Sequence, residues 1–394
     1  MDRTARLSTG QRTLPICLTA DSYYNFNIMR VALVHDYLNQ YGGAERVLEC
    51  LMEMFPDAPV FTLMHDREKT ADRFAGRVER TSFLDFPFAR RHHRLFIPLM
   101  PLAAKTINLG SDFDLIISDT AGFAKGIRYD HRNTQHISYI HTPLRYAWEQ
   151  KEYLGGIMTN FQLAISRPLL GFLRDWDYRA GKRPNVLIAN SKFIAKKIKE
   201  YYGRPARVIY PPVDTSVFYL DSESNKSKAK SNYYLAVGRL LHYKKFDLVI
   251  EAFKKIGLPL KIVGSGVEAS NLATMIKKLE AKNIELLPFM EDEKELRQLY
   301  NGAKALIFPQ VEDFGLVAAE AQACGLPVIA YADGGATEIV EHGRTGILFP
   351  QQSVESLIGA VELFKKKRFQ RRVIAASARR FSKEHFQEEI VKLI

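Results

Sequence analysis

Apolar residues along this chain gather in short runs, and the runs recur. MRVALVHDY from Met29, FDLIIS from Phe113, QHISYIHT and NVLIANS fall in the first half; YYLAVGR, LKIVGSG, KALIFPQ and LPVIAYA fall in the second. Runs of this length, without polar alternation, predict strands covered on both faces, as in parallel sheets. Longer stretches with helical spacing separate them, such as ERVLECLMEMF after Gly43. Alternating strand and helix predicts βαβ units, and their recurrence in both halves predicts two Rossmann-like domains of the α/β class.

The seams are read from what interrupts the pattern. Residues 1–28 are polar and aperiodic and are expected to be a flexible extension. A first domain is expected over 29–211, ending at VIYPPVD, where Pro211 and Pro212 forbid regular structure. A second domain is expected over 212–375, entered through the polar stretch DSESNKSKAKSN at 221–232, read as a mobile loop. Residues 376–394 are expected to form a helix packing back toward the first domain.

Composition narrows the class. With 46% hydrophobic and 25% charged residues, 394 residues are enough for two full globular cores. Cys17, Cys50 and Cys324 are far apart, which supports neither a disulfide framework nor a thiolate zinc site and suits a cytoplasmic setting. No apolar run approaches the roughly 20 residues of a bilayer span, and no secretory signal pattern opens the chain. The formal charge of +12 is uneven: residues 29–210 carry 27 Lys+Arg against 19 Asp+Glu, and 211–394 carry 26 against 23. Such a surplus attracts nucleic acid, anionic lipid or phosphorylated substrates. Nucleic acid is disfavoured, because the basic residues are scattered and no recognition motif accompanies them.

Candidate chemistry concentrates in the second half. VEDFGLVAAEAQACGLPVIA places Glu312 in the loop after KALIFPQ, and Glu320 eight positions later on a helix expected to begin around Phe314. Phe314, Gly315 and Leu316 would present the unpaired N–H groups of a helix amino end to an anion. A carboxylate at Glu320 could accept from both hydroxyls of a ribose, although each glutamate taken alone reads more readily as a solvated helix charge. In GRLLHYKKFD, Gly238, Arg239 and Lys244 follow a strand, where ligands of open α/β folds bind. Two cations there would neutralise a diphosphate leaving group without a metal, or merely flank a helix. Gly264 in IVGSG marks a strand-to-helix turn that needs glycine for backbone reasons alone.

In the first half, Gly42 and Gly43 open a helix without the G-x-G-x-x-G pattern or an acidic residue at the expected ribose position, which disfavours a dehydrogenase. The segment SYIHTPLRYAW brings His141, Arg145, Tyr146 and Trp148 together, a set suited to a phosphate-bearing sugar acceptor or to interdomain packing. Neither Asp112 with Asp114 nor Asp175 with Asp177 has the setting of a metal-ligand pair, so no metal is expected. RRHHRLFIPLMPLAAKTINL at 90–109 joins a basic head to an apolar stretch, a pattern of an anionic membrane contact and equally of a core helix with a charged start.

Taken in order, MRVALVHDY…GGAE, HTPLRYAW, ANSKFIAKKI…YYGRPARVIYPPVD, GRLLHYKKFD and VEDFGLVAAEAQACGLPVIA resemble the family 4 glycosyltransferases from Met29 to the C-terminus. The resemblance implies a GT-B fold, two Rossmann-like domains facing across a cleft, and a retaining, metal-independent transferase with no cofactor beyond its nucleotide-diphosphate sugar. It implies that Glu312 faces the transferred sugar and Glu320 the ribose, as a Glu-x7-Glu pair. It further implies that Arg239 and Lys244 hold the diphosphate, that Gly42 and Gly43 close over the donor, and that His141 lines the reaction centre. HTPLRYAW is similar to bacterial mannosyltransferases of O-antigen or exopolysaccharide synthesis. That similarity implies GDP-mannose and a lipid-linked glycan acceptor at the cytoplasmic face of the inner membrane. A UDP-sugar donor, or a UDP-sugar 2-epimerase of the same fold, is the alternative.

Overall fold

The computed structural model describes residues 29–149, 160–221 and 232–394. The expected extension at 1–28 and nearly all of the loop expected at 221–232 lie outside these residues.

The first sheet contains β1 (Val31–His35), β2 (Val60–Thr62), β3 (Val78–Thr81), β4 (Leu115–Thr120), β5 (Gln135–Ile140), β6 (Val186–Ala189) and β7 (Arg207–Val208). Its spatial order is β3-β2-β1-β4-β5-β6-β7, and every pairing is parallel. The second sheet contains β8 (Tyr234–Val237), β9 (Leu260–Val263), β10 (Ile284–Leu287), β11 (Leu306–Phe308), β12 (Val328–Tyr331) and β13 (Gly346–Phe349). Its order is β10-β9-β8-β11-β12-β13, again parallel throughout. The eight strands announced by apolar runs are present. β2, β3, β7, β10 and β13 were not announced. β3 reads VERT and is half exposed at an edge, and β7 is two residues long, so neither displays a buried run.

Each sheet has one point where strand order reverses, between β1 and β4 in the first and between β8 and β11 in the second. Crevices open at the carboxyl ends of strands at such points. β1 leads to Gly42 and Gly43, and β4 carries Asp119. β8 leads to Arg239 and Lys244, and β11 leads to Glu312.

Past Pro211 and Pro212, Val213 donates its N–H to Phe381 O (2.7 Å) and accepts from Lys383 N (3.1 Å). The closing helix Lys383–Val391 begins there, capped by Ser382. Phe386 and Ile390 of that helix are buried among Leu33, Ile117 and Tyr139 of the first sheet. Burial of each stabilises this return by about 1.5–3 kcal/mol.

Candidate functional site

The second domain supplies a helix end, two carboxylates and two cations. The helix Leu316–Ala323 starts at Gly315, whose φ of 104° is a left-handed conformation that other residues rarely adopt. A Cβ at Gly315 would also stand 2.9 Å from the Phe308 ring. Glu320 lies one turn further on and is buried, accepting from the Tyr300 hydroxyl at 3.2 Å. Glu312, in the loop after β11, contacts the Lys244 ammonium. Burial, joined by the charges of Arg239 and Arg145, pushes that ammonium down to about 7; the adjoining Glu312 carboxylate favours its charged form.

The first domain meets this set directly. Gly42 caps the helix Gly43–Met54, and a Cβ at Gly43 would stand 2.8 Å from a Leu316 methyl. Arg46, on the same helix, contacts Glu320 with one guanidinium nitrogen and reaches Glu293 at 2.8 Å with another. Arg239 donates to Gln40 Oε1 at 3.3 Å. His141 follows β5, its Nε2 lying 2.6 Å from Asp119 Oδ1 while its carbonyl accepts from Asn190 Nδ2 at 3.1 Å. Asp119 also faces His35, at 2.9 Å. Burial alone would raise the Asp119 carboxyl, but His141 and His35 hold it below its ordinary range.

Arg145 and Trp148 are committed to packing. Arg145 pairs with Asp313 across the domain boundary. Trp148 stacks on Tyr201, with ring centroids 4.6 Å apart, and donates its indole N–H to Asp177 at 2.8 Å. Tyr146 packs against the first domain's core. Gly264 approaches Gly238 so closely that a Cβ would stand 1.9 Å from the Gly238 carbonyl oxygen, so this glycine is required by the join between two turns.

Further cross-domain contacts use residues that the motifs did not single out. Ser191 donates to the Asp313 carbonyl, and Glu338 accepts from Lys192 N (2.8 Å), Phe193 N (2.9 Å) and the Tyr210 hydroxyl (3.1 Å). Arg46 follows the Gly42–Gly43 turn and Asp313 adjoins Glu312, but neither position carries a pattern of its own. Among the described residues, no cluster of three or more His, Cys, Asp or Glu is arranged to hold a metal. Asp114 pairs with Arg30, Asp175 with Arg179, and Asp177 with Lys125.

Residues 41–217 match the family described as Glycosyltransferase Family 4, and residues 219–381 match Glycosyl transferases group 1. An uncharacterized glycosyltransferase of Methanocaldococcus jannaschii is 30% identical over 52% of this chain and 56% of its own length. The D-rhamnosyltransferase WbpZ of Pseudomonas aeruginosa is 25% identical over 80% of each chain. The chain spans about half the length of most curated relatives it matches. In the crystal structure of Anabaena HepE in complex with UDP, 99% of that chain superposes on 93% of this one, at a TM-score of 0.68 and 20% identity. This likeness establishes the two-domain GT-B fold.

Proposed function

This chain joins a Glycosyltransferase Family 4 domain to a Glycosyl transferases group 1 domain, and on that premise we propose that it transfers a hexose from a nucleotide-diphosphate sugar to an acceptor hydroxyl with retention of configuration. What supports the reading is the seam where the two domains meet, at which the helix amino end at Gly315 adjoins Gly43, Glu312 contacts Lys244, Glu320 contacts Arg46 and Arg239 contacts Gln40. The helix end and the two cations receive the diphosphate, Glu320 the ribose, and Glu312 the transferred sugar. Gly42 and Gly43 cover the donor from the other domain, and His141 lines the reaction centre.

As the bond from the anomeric carbon to the diphosphate oxygen breaks, its electron pair leaves on the diphosphate. Charge there is greatest in the transition state, so the buried Lys244 ammonium and the Arg239 guanidinium held by Gln40 favour that state over the bound donor. The acceptor hydroxyl attacks the same face and passes its proton to the departing oxygen. No step in this scheme uses a metal ion. Nucleoside diphosphate release is expected to require acceptor and to continue in EDTA. Release without acceptor, accompanied by inversion at C2, would favour the epimerase.

GDP-mannose is the donor proposed first, on the HTPLRYAW similarity. The UDP bound by HepE motivates the UDP-sugar alternative. The acceptor proposed is a lipid-linked glycan at the cytoplasmic face of the inner membrane, reached through a surface built by residues 86–105. There Phe88, Leu95, Leu99 and Leu102 are exposed beside Arg91, Arg94 and Lys105, while Met100, Ala103 and Ala104 of the same segment are buried. Exposed apolar side chains ringed by cations suit an anionic bilayer. The protein is expected to float with phosphatidylglycerol vesicles and to stay down when Leu95→Asp and Leu102→Asp are combined. A wild-type protein that never floats removes the membrane contact. Among the described residues, no helix is long and apolar enough to cross a membrane.

A further inference from the structure

Four titratable side chains lie in a row beside the glycine turn, three of them buried. Glu45, in the first turn of the helix Gly43–Met54, places Oε1 3.7 Å from His35 Nε2. His35 Nδ1 is 2.9 Å from Asp119 Oδ2, and Asp119 Oδ1 is 2.6 Å from His141 Nε2. Glu45, His35 and Asp119 are all under 5% exposed. Only His141, at the end of the row, reaches solvent.

The charges in this row dictate where the protons sit. His35, between two buried carboxylates, is held protonated on both nitrogens: Nδ1 donates to Asp119, while the Glu45 carboxylate at ion-pair distance favours the charge on the Nε2 side. Burial would lower the His35 pKa, but Asp119 and Glu45 lift it to about 10. Asp119 is then an acceptor on both sides. His141 can face it only with a proton on Nε2, because a bare ring nitrogen opposite a carboxylate leaves two acceptors in contact. The far end of the row meets the glycine turn. Glu45 Oε2 is buried, has no hydrogen-bond partner, and lies 3.4 Å from where a Gly42 Cβ would stand.

We infer that Asp119, backed by His35 and Glu45, is a positioning residue that fixes His141 as the tautomer protonated on Nε2, leaving Nδ1 as the ring's acceptor for a substrate hydroxyl. The inference rests on the proposed transferase reading for the substrate, and on this chain's own geometry for the tautomer. Asparagine at 119 tests it. Its carbonyl oxygen would turn to the cationic His35 and its NH₂ to His141, so His141 Nε2 would have to accept and its proton would move to Nδ1. A wrong tautomer with intact geometry is a severe catalytic defect. Asp119→Asn is therefore expected to lower kcat by about 10² or more, with the donor KM within threefold of wild type.

A second readout needs neither activity nor the Asp119→Asn protein. In the full ¹⁵N-labelled chain at pH 8.5, the His141 ring, identified by its loss in His141→Gln, is expected to show a protonated Nε2 and a bare Nδ1. A wild-type ring protonated on Nδ1, or on both nitrogens, overturns the inference, as does an Asp119→Asn protein with near-normal kcat. If the wild type binds no nucleoside diphosphate by calorimetry, the transferase reading fails instead, while the ring measurement still decides the tautomer.

Discussion

Alanine at Arg239 or at Lys244 is expected to slow sugar transfer by about 10² or more, the scale of one lost oxyanion donor. Both cations stand at the carboxyl end of β8, Arg239 tied to Gln40 of the opposite domain and Lys244 to Glu312. Their effect should appear mainly in kcat, because the diphosphate carries more charge as the bond breaks than in the bound donor. Lys244→Ala should be the worse of the two, since it also leaves Glu312 without its counter-ion. Lys244→Arg should not fully restore the rate, because a planar guanidinium cannot place a point charge as an ammonium does. Initial rates of nucleoside diphosphate release with saturating acceptor measure all three. Near-normal turnover in both alanine variants contradicts the assignment.

The largest effect on stability is expected from Asp177→Ala. Asp177 and Lys125 are completely buried, with Nζ 2.6 Å from Oδ1. The same carboxylate accepts from Trp148 Nε1 and the Tyr202 hydroxyl, each at 2.8 Å, and from Leu144 N at 3.4 Å. These partners hold the segment that follows His141, so one buried charge organises that edge of the cleft. Removing a single partner of a buried pair strands the other charge and costs about 3–5 kcal/mol. In a domain of this size that lowers Tm by about 10 °C or more. Replacing both members together, as Lys125→Met with Asp177→Leu, should recover only the part due to the stranded ammonium, because Trp148 Nε1, the Tyr202 hydroxyl and Leu144 N still lose their acceptor. A Tm for Asp177→Ala within 2 °C of wild type by calorimetric scan would be the wrong outcome for this argument.

The sequence was most legible where one local requirement dominated. β1 is buried on both faces and is apolar up to its last residue, and β4 and β5, buried as well, keep an apolar core in LII and in the isoleucines and tyrosine of QHISYI. Gly315 followed by an apolar run signals a helix start, because the turn needs a residue free to take a positive φ. β3 was not legible, since an edge strand reading VERT buries too little to show a pattern. Arg46, Gln40, Asp313 and Glu338 were invisible for a different reason. Their partners lie on the opposite domain, and no local pattern encodes how two domains dock. Arg145 shows the same limit, because its side chain is engaged by Asp313. His35 and Asp119 were hidden at the carboxyl ends of their strands, where His35 closes VALVH and Asp119 sits between Ser118 and Thr120 and neither reads as a site on its own.

We propose that a sugar diphosphate binds where the two sheets face each other, held by Glu320, Arg239 and the amino end of the helix Leu316–Ala323. Titration calorimetry of the intact chain with UDP and with GDP tests it most directly, with Glu320→Gln and Arg239→Ala titrated alongside. One nucleotide should bind the wild type at one site per chain, and each substitution should weaken it by about tenfold or more, a loss of roughly 1.4 kcal/mol. If neither UDP nor GDP binds, or all three proteins bind with equal affinity, these residues do not hold a nucleotide.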